Sequence, residues 1–211
     1  MSSNETRKIN RLTKWGFVRS DTIPVEDSYP NPFGELTDLE FAAVHGRTGI
    51  IKVLIEAGAD VNARSLIGLG STPLRAATCS GQAEAVQLLI DYGTDLEAKD
   101  SLGKTCLFYA VEFGYRKVLQ VLLDSGADVN VSDKWGQTLL SYAVLHNSIE
   151  FVKILLAASA DVNATDTDGN TVLDYVRYKR SSIPFIGDFF TSERNKEMIQ
   201  LLEEAKLKSG M

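Results

Sequence analysis

Cysteine and histidine are the residues of this chain with the most recognisable chemistry, and there are two of each. Cys79 and Cys106 lack the C-x-x-C spacing that zinc sites and redox motifs use. His45 and His146 lie in distant parts of the sequence, with no further ligand residues close by. We therefore predict no metal and no cofactor, and we interpret the cysteines as reduced structural thiols.

Regularly spaced carboxylates are the next candidates, because a pair of carboxylates can act as general acid and base. They are Asp60, Asp95, Asp128 and Asp161. Residues 166–170 are partly similar to a calcium loop but lack its closing glutamate. No Ser or Cys nucleophile stands in a recognisable motif, and no glycine-rich phosphate loop precedes a helix. We therefore predict no catalytic residues and interpret the chain as not an enzyme, with these aspartates in turns of a repeated unit.

An internal repeat explains the regular spacing. Four threonines follow one another at a step of 33 residues: Thr72, Thr105, Thr138 and Thr171. A glycine stands two positions before each, and an aliphatic triplet follows the first three about sixteen residues later. An earlier copy begins at Thr37, 35 residues before Thr72. A fixed period of this length predicts a stack of similar structural units.

Each unit reads as two short helices. Thr72 is a suitable N-cap, and Pro73 follows where its missing N–H costs nothing. The chain reverses at Gly81, and Gly93 ends the second helix in the left-handed conformation. Asn147 and Ser159 take these two glycine positions in a later unit, so we predict a positive φ at both, with Ser159 the more strained. One pair of helices cannot bury its own apolar side, so neighbouring units must stack.

Residues 70–77 (Gly-Ser-Thr-Pro-Leu-Arg-Ala-Ala) and 126–130 (Gly-Ala-Asp-Val-Asn) resemble the ankyrin repeat. The resemblance implies an all-α solenoid of stacked helix-turn-helix units with projecting β-turn fingers. It places the repeat domain at 34–206, with repeats 1 to 5 at about 35–64, 68–99, 101–132, 134–165 and 167–206. The family's usual histidine is replaced by Arg75, Phe108, Ser141 and Asp174.

Two segments depart from the repeat. Residues 1–33 contain Trp15, Phe17 and three prolines, and are interpreted as an N-terminal arm or cap, or alternatively as a partner-binding tail. An insert near 181–192 interrupts the last repeat and contains an apolar stretch at 183–190. This insert is either a cap on the final repeat or a loop that docks a partner.

The resemblance also implies a concave binding face, formed by the first helices and the finger tips. Large apolar residues at the tips are Leu66, Ile67, Leu69, Leu102 and Trp135. The ends of the first helices contribute Phe113, Leu145 and His146, and a polar rim contains Lys99, Lys104, Glu112, Lys134 and Asp168. We predict that these residues bind a partner, with Trp135 as the main anchor; the alternative is that each tip packs on its neighbours. Tyr109, Tyr142 and Tyr175 are predicted to be mainly core, with hydroxyls reaching an edge.

Charge narrows the class of partner. The formal net charge is −6 and the sequence pI is about 5.0, which argues against a general nucleic-acid binder. There is no apolar run long enough to span a bilayer and no apolar signal core in residues 1–14, so we predict a cytoplasmic chain, unless it is secreted by a route that reads no such signal. The expected partner is another protein, and the chain alone is expected to be monomeric.

These features favour a non-catalytic module for protein–protein interaction, acting as an inhibitor or adaptor. The alternatives are an effector that acts on host proteins, a regulatory subunit of an enzyme complex, or an enzyme with a pocket that a shallow face seldom provides.

Overall fold

The computed structural model describes residues 36–65, 71–178 and 193–209, and the following account concerns these residues. The predicted N-terminal arm, the insert near 181–192 and the tip residues Leu66, Ile67 and Leu69 lie outside them.

Five pairs of helices make up this part of the chain. The first helices of the pairs are α1 (Asp38–Val44), α3 (Pro73–Cys79), α5 (Cys106–Glu112), α7 (Leu139–Leu145) and α9 (Val172–Tyr178). The second helices are α2 (Thr48–Glu56), α4 (Ala83–Asp91), α6 (Arg116–Asp124), α8 (Ile149–Ala157) and α10 (Glu193–Ser209). Each first helix has seven residues. Among the described residues the only bridges between extended segments are Ser132–Thr138 and Thr165–Thr171, so the predicted all-α class is confirmed.

The helices form two layers. Each first helix packs on the first helix of the next pair, and the second helices lie behind them as an outer layer. One apolar core runs through the stack, from Leu39 in α1 to Leu202 in α10. Each pair thus buries its apolar side against its neighbours, which is why the fold requires several units.

Threonine begins the first helices, as the sequence predicts. The side chains of Thr37, Thr72 and Thr138 each accept a hydrogen bond from the backbone three residues later. Thr171 makes a different arrangement, in which its backbone and hydroxyl both donate to the Asp174 carboxylate. Thr105 makes no such bond, and its hydroxyl is buried without a partner. The repeated threonine therefore marks the start of a helix, whether or not it caps that helix.

Two turns have the predicted left-handed backbone at a residue other than glycine. Asn147 has φ 52° and Ser159 has φ 67°. A side chain in this region costs free energy, and asparagine tolerates it better than most residues. The backbone at Ser159 is therefore locally strained, and the packing of the stacked repeats compensates for this strain.

The turns that follow the second helices are called the outer turns. Hydrogen bonds between the outer turns of neighbouring repeats hold these repeats in register. In three places the side chain of one repeat accepts from the backbone N–H of an aspartate in the next: Asn62 from Asp95, Glu97 from Asp128, and Asn130 from Asp161, at 2.8 to 2.9 Å. The repeated Asp-x-Asn sequence, which is Asp-x-Glu in repeat 2, thus stabilises both its own turn and its neighbour.

Candidate interaction surface

The fingers are the short segments that connect one repeat to the first helix of the next. We name them by the repeat that they begin: finger 2 is 63–72, finger 3 is 98–105, finger 4 is 131–138 and finger 5 is 164–171. In fingers 3, 4 and 5 an aspartate N–H donates to the carbonyl four residues later, at 3.0 to 3.1 Å. In finger 2 the equivalent bond joins Ser65 to Ser71, which are six residues apart and not four, and residues 66–70 between them lie outside the described residues.

A second column of aspartates holds these fingers. One carboxylate oxygen accepts the backbone N–H groups two and four residues later, and the other accepts a tyrosine hydroxyl from the first helix that follows. The pairs are Asp100 with Tyr109, Asp133 with Tyr142 at 3.0 Å, and Asp166 with Tyr175 at 2.5 Å. We call this arrangement the Asp–Tyr clamp. The tyrosines are half-buried with their hydroxyls at the finger, in agreement with the predicted core position that reaches an edge.

In fingers 3 and 5 the clamp changes the pKa of both partners. Burial raises the pKa of Asp166, but hydrogen bonds from Tyr175, Asn170 and backbone amides outweigh that effect and lower its pKa to about 2. The pKa of Asp100 is also lowered, by the corresponding hydrogen bonds against the opposing effect of burial. Burial, followed by the hydrogen bond to Asp166, raises the pKa of Tyr175 to about 12. Near neutral pH the clamps of fingers 3 and 5 therefore each consist of a carboxylate and a protonated phenol.

Repeat 2 lacks the clamp, because Ser65 and Ala76 occupy the aspartate and tyrosine positions. Arg75 instead reaches from α3 to finger 3. Its guanidinium donates to the second Asp100 oxygen at 3.3 Å and lies 5.6 Å from the centre of the Tyr109 ring. Arg75 stands where the family pattern has histidine, so here a buried ion pair joins repeats 2 and 3.

The rim position predicted for Lys104 is wrong. Its exposed fraction is 9%, and its ammonium group binds Glu112 at 2.9 Å and lies over the Tyr142 ring at 4.7 Å. The long aliphatic stem of lysine allows the Lys104 ammonium group to point inward between repeats 3 and 4. Although burial lowers the pKa of Lys104, the hydrogen bonds to Glu112 and Tyr142 raise it overall. Lys104 thus packs below the candidate interaction surface and is not part of its exposed rim.

Neighbouring fingers are in direct contact. The N–H of Lys134 donates to the carbonyl of Leu102 at 2.9 Å, and the N–H of Thr167 donates to that of Trp135 at 3.0 Å. A Cβ atom at Gly103 would lie 2.8 Å from the Lys134 nitrogen, with φ already at +77°. Glycine is therefore required there for two reasons, backbone conformation and close approach. The same holds at Gly136 against Thr167.

Two large aromatic side chains stand out on this framework. Trp135 at the tip of finger 4 is 47% exposed and Phe113 at the end of α5 is 49% exposed. The Lys134 ammonium lies 4.3 Å from the centre of the Trp135 ring, within range of a cation–π interaction. Phe113 stacks on Tyr109, with 6.2 Å between ring centres. Tyr109, Lys104, Tyr142 and Asp133 then connect these two residues through successive contacts.

The remaining predicted residues differ in exposure. Leu102, Glu112 and Leu145 are half-buried, whereas Lys134 and His146 are exposed, with His146 beside the Tyr142 ring. Sequence reasoning missed the aspartates of the clamp and Arg64, whose guanidinium donates to the Lys99 carbonyl at 3.1 Å. The signal for the clamp was available: Asp100, Asp133 and Asp166 recur at 33 residues, each nine residues before a tyrosine.

The aspartates and cysteines that were candidates for chemistry in the sequence occupy structural positions. Each of Asp60, Asp95, Asp128 and Asp161 accepts the backbone N–H two residues later, which makes a local turn. Burial raises the pKa of Cys79 to about 11 and that of Cys106 to about 12. Over 36–65, 71–178 and 193–209 there is no group of three or more metal-ligating side chains. In these same ranges no helix combines the length and the apolar character needed to cross a membrane.

Stacked helix pairs joined by hairpin fingers define a helical repeat protein. Models of ankyrin repeats match residues 39–133, as three copies, and residues 122–176. Together the two matches extend over 39–176, more than half of the chain. The chain belongs to the ankyrin repeat family.

Curated proteins from several sources share this similarity. The chain is 41% identical over 76 residues to mouse protein phosphatase 1 regulatory subunit 12A, which covers 36% of the chain and 7% of that protein. It is 43% identical over 61 residues to a putative ankyrin repeat protein of Rickettsia bellii, covering 28% of the chain and 25% of the relative. It is 41% identical over 69 residues to rabbit transient receptor potential cation channel subfamily V member 5, with 28% and 10% covered. The chain thus spans only a small part of these relatives.

Proposed function

We propose that this chain is a non-catalytic binding protein that holds a partner protein against its concave face and finger tips. Ankyrin repeats are modules for protein–protein interaction, and the observation that carries the proposal is the exposure of Trp135 and Phe113. Neither position requires a large aromatic residue for folding, since about half of each side chain faces solvent. Aromatic residues are enriched in protein interfaces, where a few of them contribute most of the affinity.

The framework beneath these residues supports the same function. The Asp–Tyr clamps fix fingers 4 and 5 to their first helices, and backbone hydrogen bonds fix fingers 3, 4 and 5 to one another. A surface that is already rigid loses little conformational entropy when a partner binds. We therefore propose a mode of action by occlusion or positioning, as an inhibitor or an adaptor.

A regulatory subunit of an enzyme complex is the second candidate. It is favoured by the similarity to a protein named as a regulatory subunit of protein phosphatase 1, although the match covers only 7% of that protein. In either case we propose a chain that is monomeric on its own and resides in the cytoplasm. Two unpaired cysteines with buried or half-buried side chains suit a reducing compartment.

Affinity capture from an extract of the native source tests the proposal. The immobilised chain is expected to retain a specific protein, and Trp135→Ala combined with Phe113→Ala is expected to lose it. Leu207→Ala is the matched control, because Leu207 is 71% exposed and lies in α10, outside the proposed face. Equal retention by the wild type and the double variant would show that the face is wrong. Turnover of a small molecule without any captured protein would favour an enzyme.

A further inference from the structure

The exposed charges of fingers 2, 3 and 4 all have the same sign. Each of these fingers carries one exposed cation among its described residues: Arg64, Lys99 and Lys134. This is unexpected in a chain whose formal net charge is −6. We call these three residues, together with Trp135, the basic ridge.

The aspartates of the same fingers do not balance these charges at the surface. The side chain of Asp100 is 1% exposed and is paired with Arg75, and Asp133 is 5% exposed inside its clamp. Glu97, just before finger 3, directs a carboxylate oxygen to the N–H of Asp128 at 2.8 Å, in the outer turn. Clamp formation thus removes the acidic groups from the finger surface and leaves the basic ones there.

Two of the three cations reach the next finger through hydrogen bonds. Arg64 donates to the carbonyl of Lys99 at 3.1 Å, and the Lys99 ammonium donates to that of Ser132 at 3.4 Å. Lys134 lies over Trp135 at the end of this row. In finger 5 the sign changes, since Asp168 is exposed at the tip. The row therefore has a basic part and an acidic end, with the tryptophan between them.

We propose that the basic ridge binds an acidic segment of the partner protein that carries one large apolar or aromatic side chain. The carboxylates of that segment meet Arg64, Lys99 and Lys134, and its apolar side chain packs on Trp135. Such charge complementarity sets specificity and association rate. Two spacings between packed helices measure about 20 Å, so an extended segment of about six residues spans the ridge. This inference rests on the proposed function and specifies the chemistry of the partner at that site.

Direct binding of a synthetic peptide tests it. The probe is a fluorescein-labelled peptide of about six residues, made of Asp and Glu around one central Phe. It is compared with an analogue in which Asn and Gln replace the acids. We expect the acidic peptide to bind more tightly than the neutral one, and its affinity to fall as salt rises from about 50 to about 500 mM. Equal affinities for the two peptides would overturn the proposal.

Matched variants locate the binding. Arg64→Gln, Lys99→Gln and Lys134→Gln together are expected to weaken acidic-peptide binding on the order of tenfold, as three exposed ion pairs imply. The control combines Lys52→Gln, Lys117→Gln and Lys153→Gln, which change the net charge equally from the second helices. Circular dichroism and thermal melting verify that both triple variants fold. An equal loss of affinity in the control, or no loss in the ridge variant, would overturn the proposal.

Two further outcomes separate this inference from its alternatives. A fluorescent oligothymidylate of about ten nucleotides that binds the ridge more tightly than the acidic peptide would assign it to nucleic acid. If Trp135→Ala abolishes capture of a partner while the triple ridge variant retains it fully, the proposed function stands and the acidic segment is rejected.

Discussion

Two columns of aspartate recur in this chain five residues apart, and they do different work. The outer-turn column, which includes Asp95, Asp128 and Asp161, is exposed, and each carboxylate accepts a backbone N–H of its own turn. The finger column, Asp100, Asp133 and Asp166, accepts two N–H groups and a tyrosine hydroxyl. Periodicity in a sequence thus identifies an equivalent position, but the number of partners decides how much stability the residue contributes.

Replacing a glycine in a finger and a glycine in an outer turn should give the largest difference in the free energy of unfolding. Gly103→Ala places a Cβ 2.8 Å from the Lys134 nitrogen at a positive φ, so we expect a loss of about 3 kcal/mol or more in the free energy of unfolding. Gly126→Ala in the outer turn meets nothing within 4 Å and should cost only the backbone strain, about 1–2 kcal/mol. Urea denaturation of both variants measures the difference. Equal losses would mean that the finger contact is not tight.

Removing one aspartate from each column tests the comparison directly. Asp133→Ala leaves two half-buried N–H hydrogen bonds and the Tyr142 hydroxyl without their acceptor, and should cost about 2–3 kcal/mol. Asp128→Ala loses one exposed turn hydrogen bond and should cost less than about 1 kcal/mol. Thermal and urea unfolding of the two variants give the values. If Asp128→Ala proves as damaging as Asp133→Ala, the clamp is not the stronger element.

The finger column should also make stability depend on pH in the acid range. The pKa of Asp166 falls from its ordinary value of 3.8 to about 2 in the folded chain, because hydrogen bonds to the carboxylate outweigh burial. A lowered folded pKa stabilises the fold above the unfolded value, and this stabilisation is lost as pH falls through the folded value. The wild type should therefore lose more stability between about pH 4 and pH 2 than Asp166→Asn. A constant difference between the two proteins over that range would contradict the lowered pKa.

The smallest effect is expected in the outer turn of repeat 4. Ser159 has φ 67° where repeats 1 to 3 have glycine, so Ser159→Gly should raise the melting temperature by relieving strain of about 1 kcal/mol. Ser159→Ala is the control, because alanine at the same φ remains strained. An unchanged or lower melting temperature for Ser159→Gly would show that the serine side chain compensates for its backbone.

Much of the fold could be predicted because its determinants are local. Thr72 and Pro73 specify a helix start, and the turn positions of Asn147 and Ser159 follow from comparison with glycine in equivalent repeats. The exposure of Trp135 was also predictable, since no helical or alternating pattern assigns that position to the core.

The internal partners at the candidate site were harder to predict, because they depend on side-chain direction. Lys104 looks like a surface residue in sequence, and only the neighbouring repeat provides the Tyr142 ring that covers its charge. Arg75 likewise finds Asp100 in the next finger, 25 residues along the chain. The bonds of the Asp–Tyr clamp span nine residues, which lies beyond capping rules yet within one repeat. Contacts of this intermediate range require the position of both elements.

The alkylation rate of the buried Cys106 thiol is a measure of local opening in the stack. Cys106 lies at the start of α5 with 2% exposure, and its pKa is raised to about 12 by burial, so the intact molecule protects it from thiol reagents. Alkylation of Cys106 therefore requires the interface between repeats 2 and 3 to open. The alkylation rate of Cys106 in the folded chain, divided by the rate in the unfolded chain, gives the fraction of time for which this interface is open. The measurement needs no label and no engineered probe.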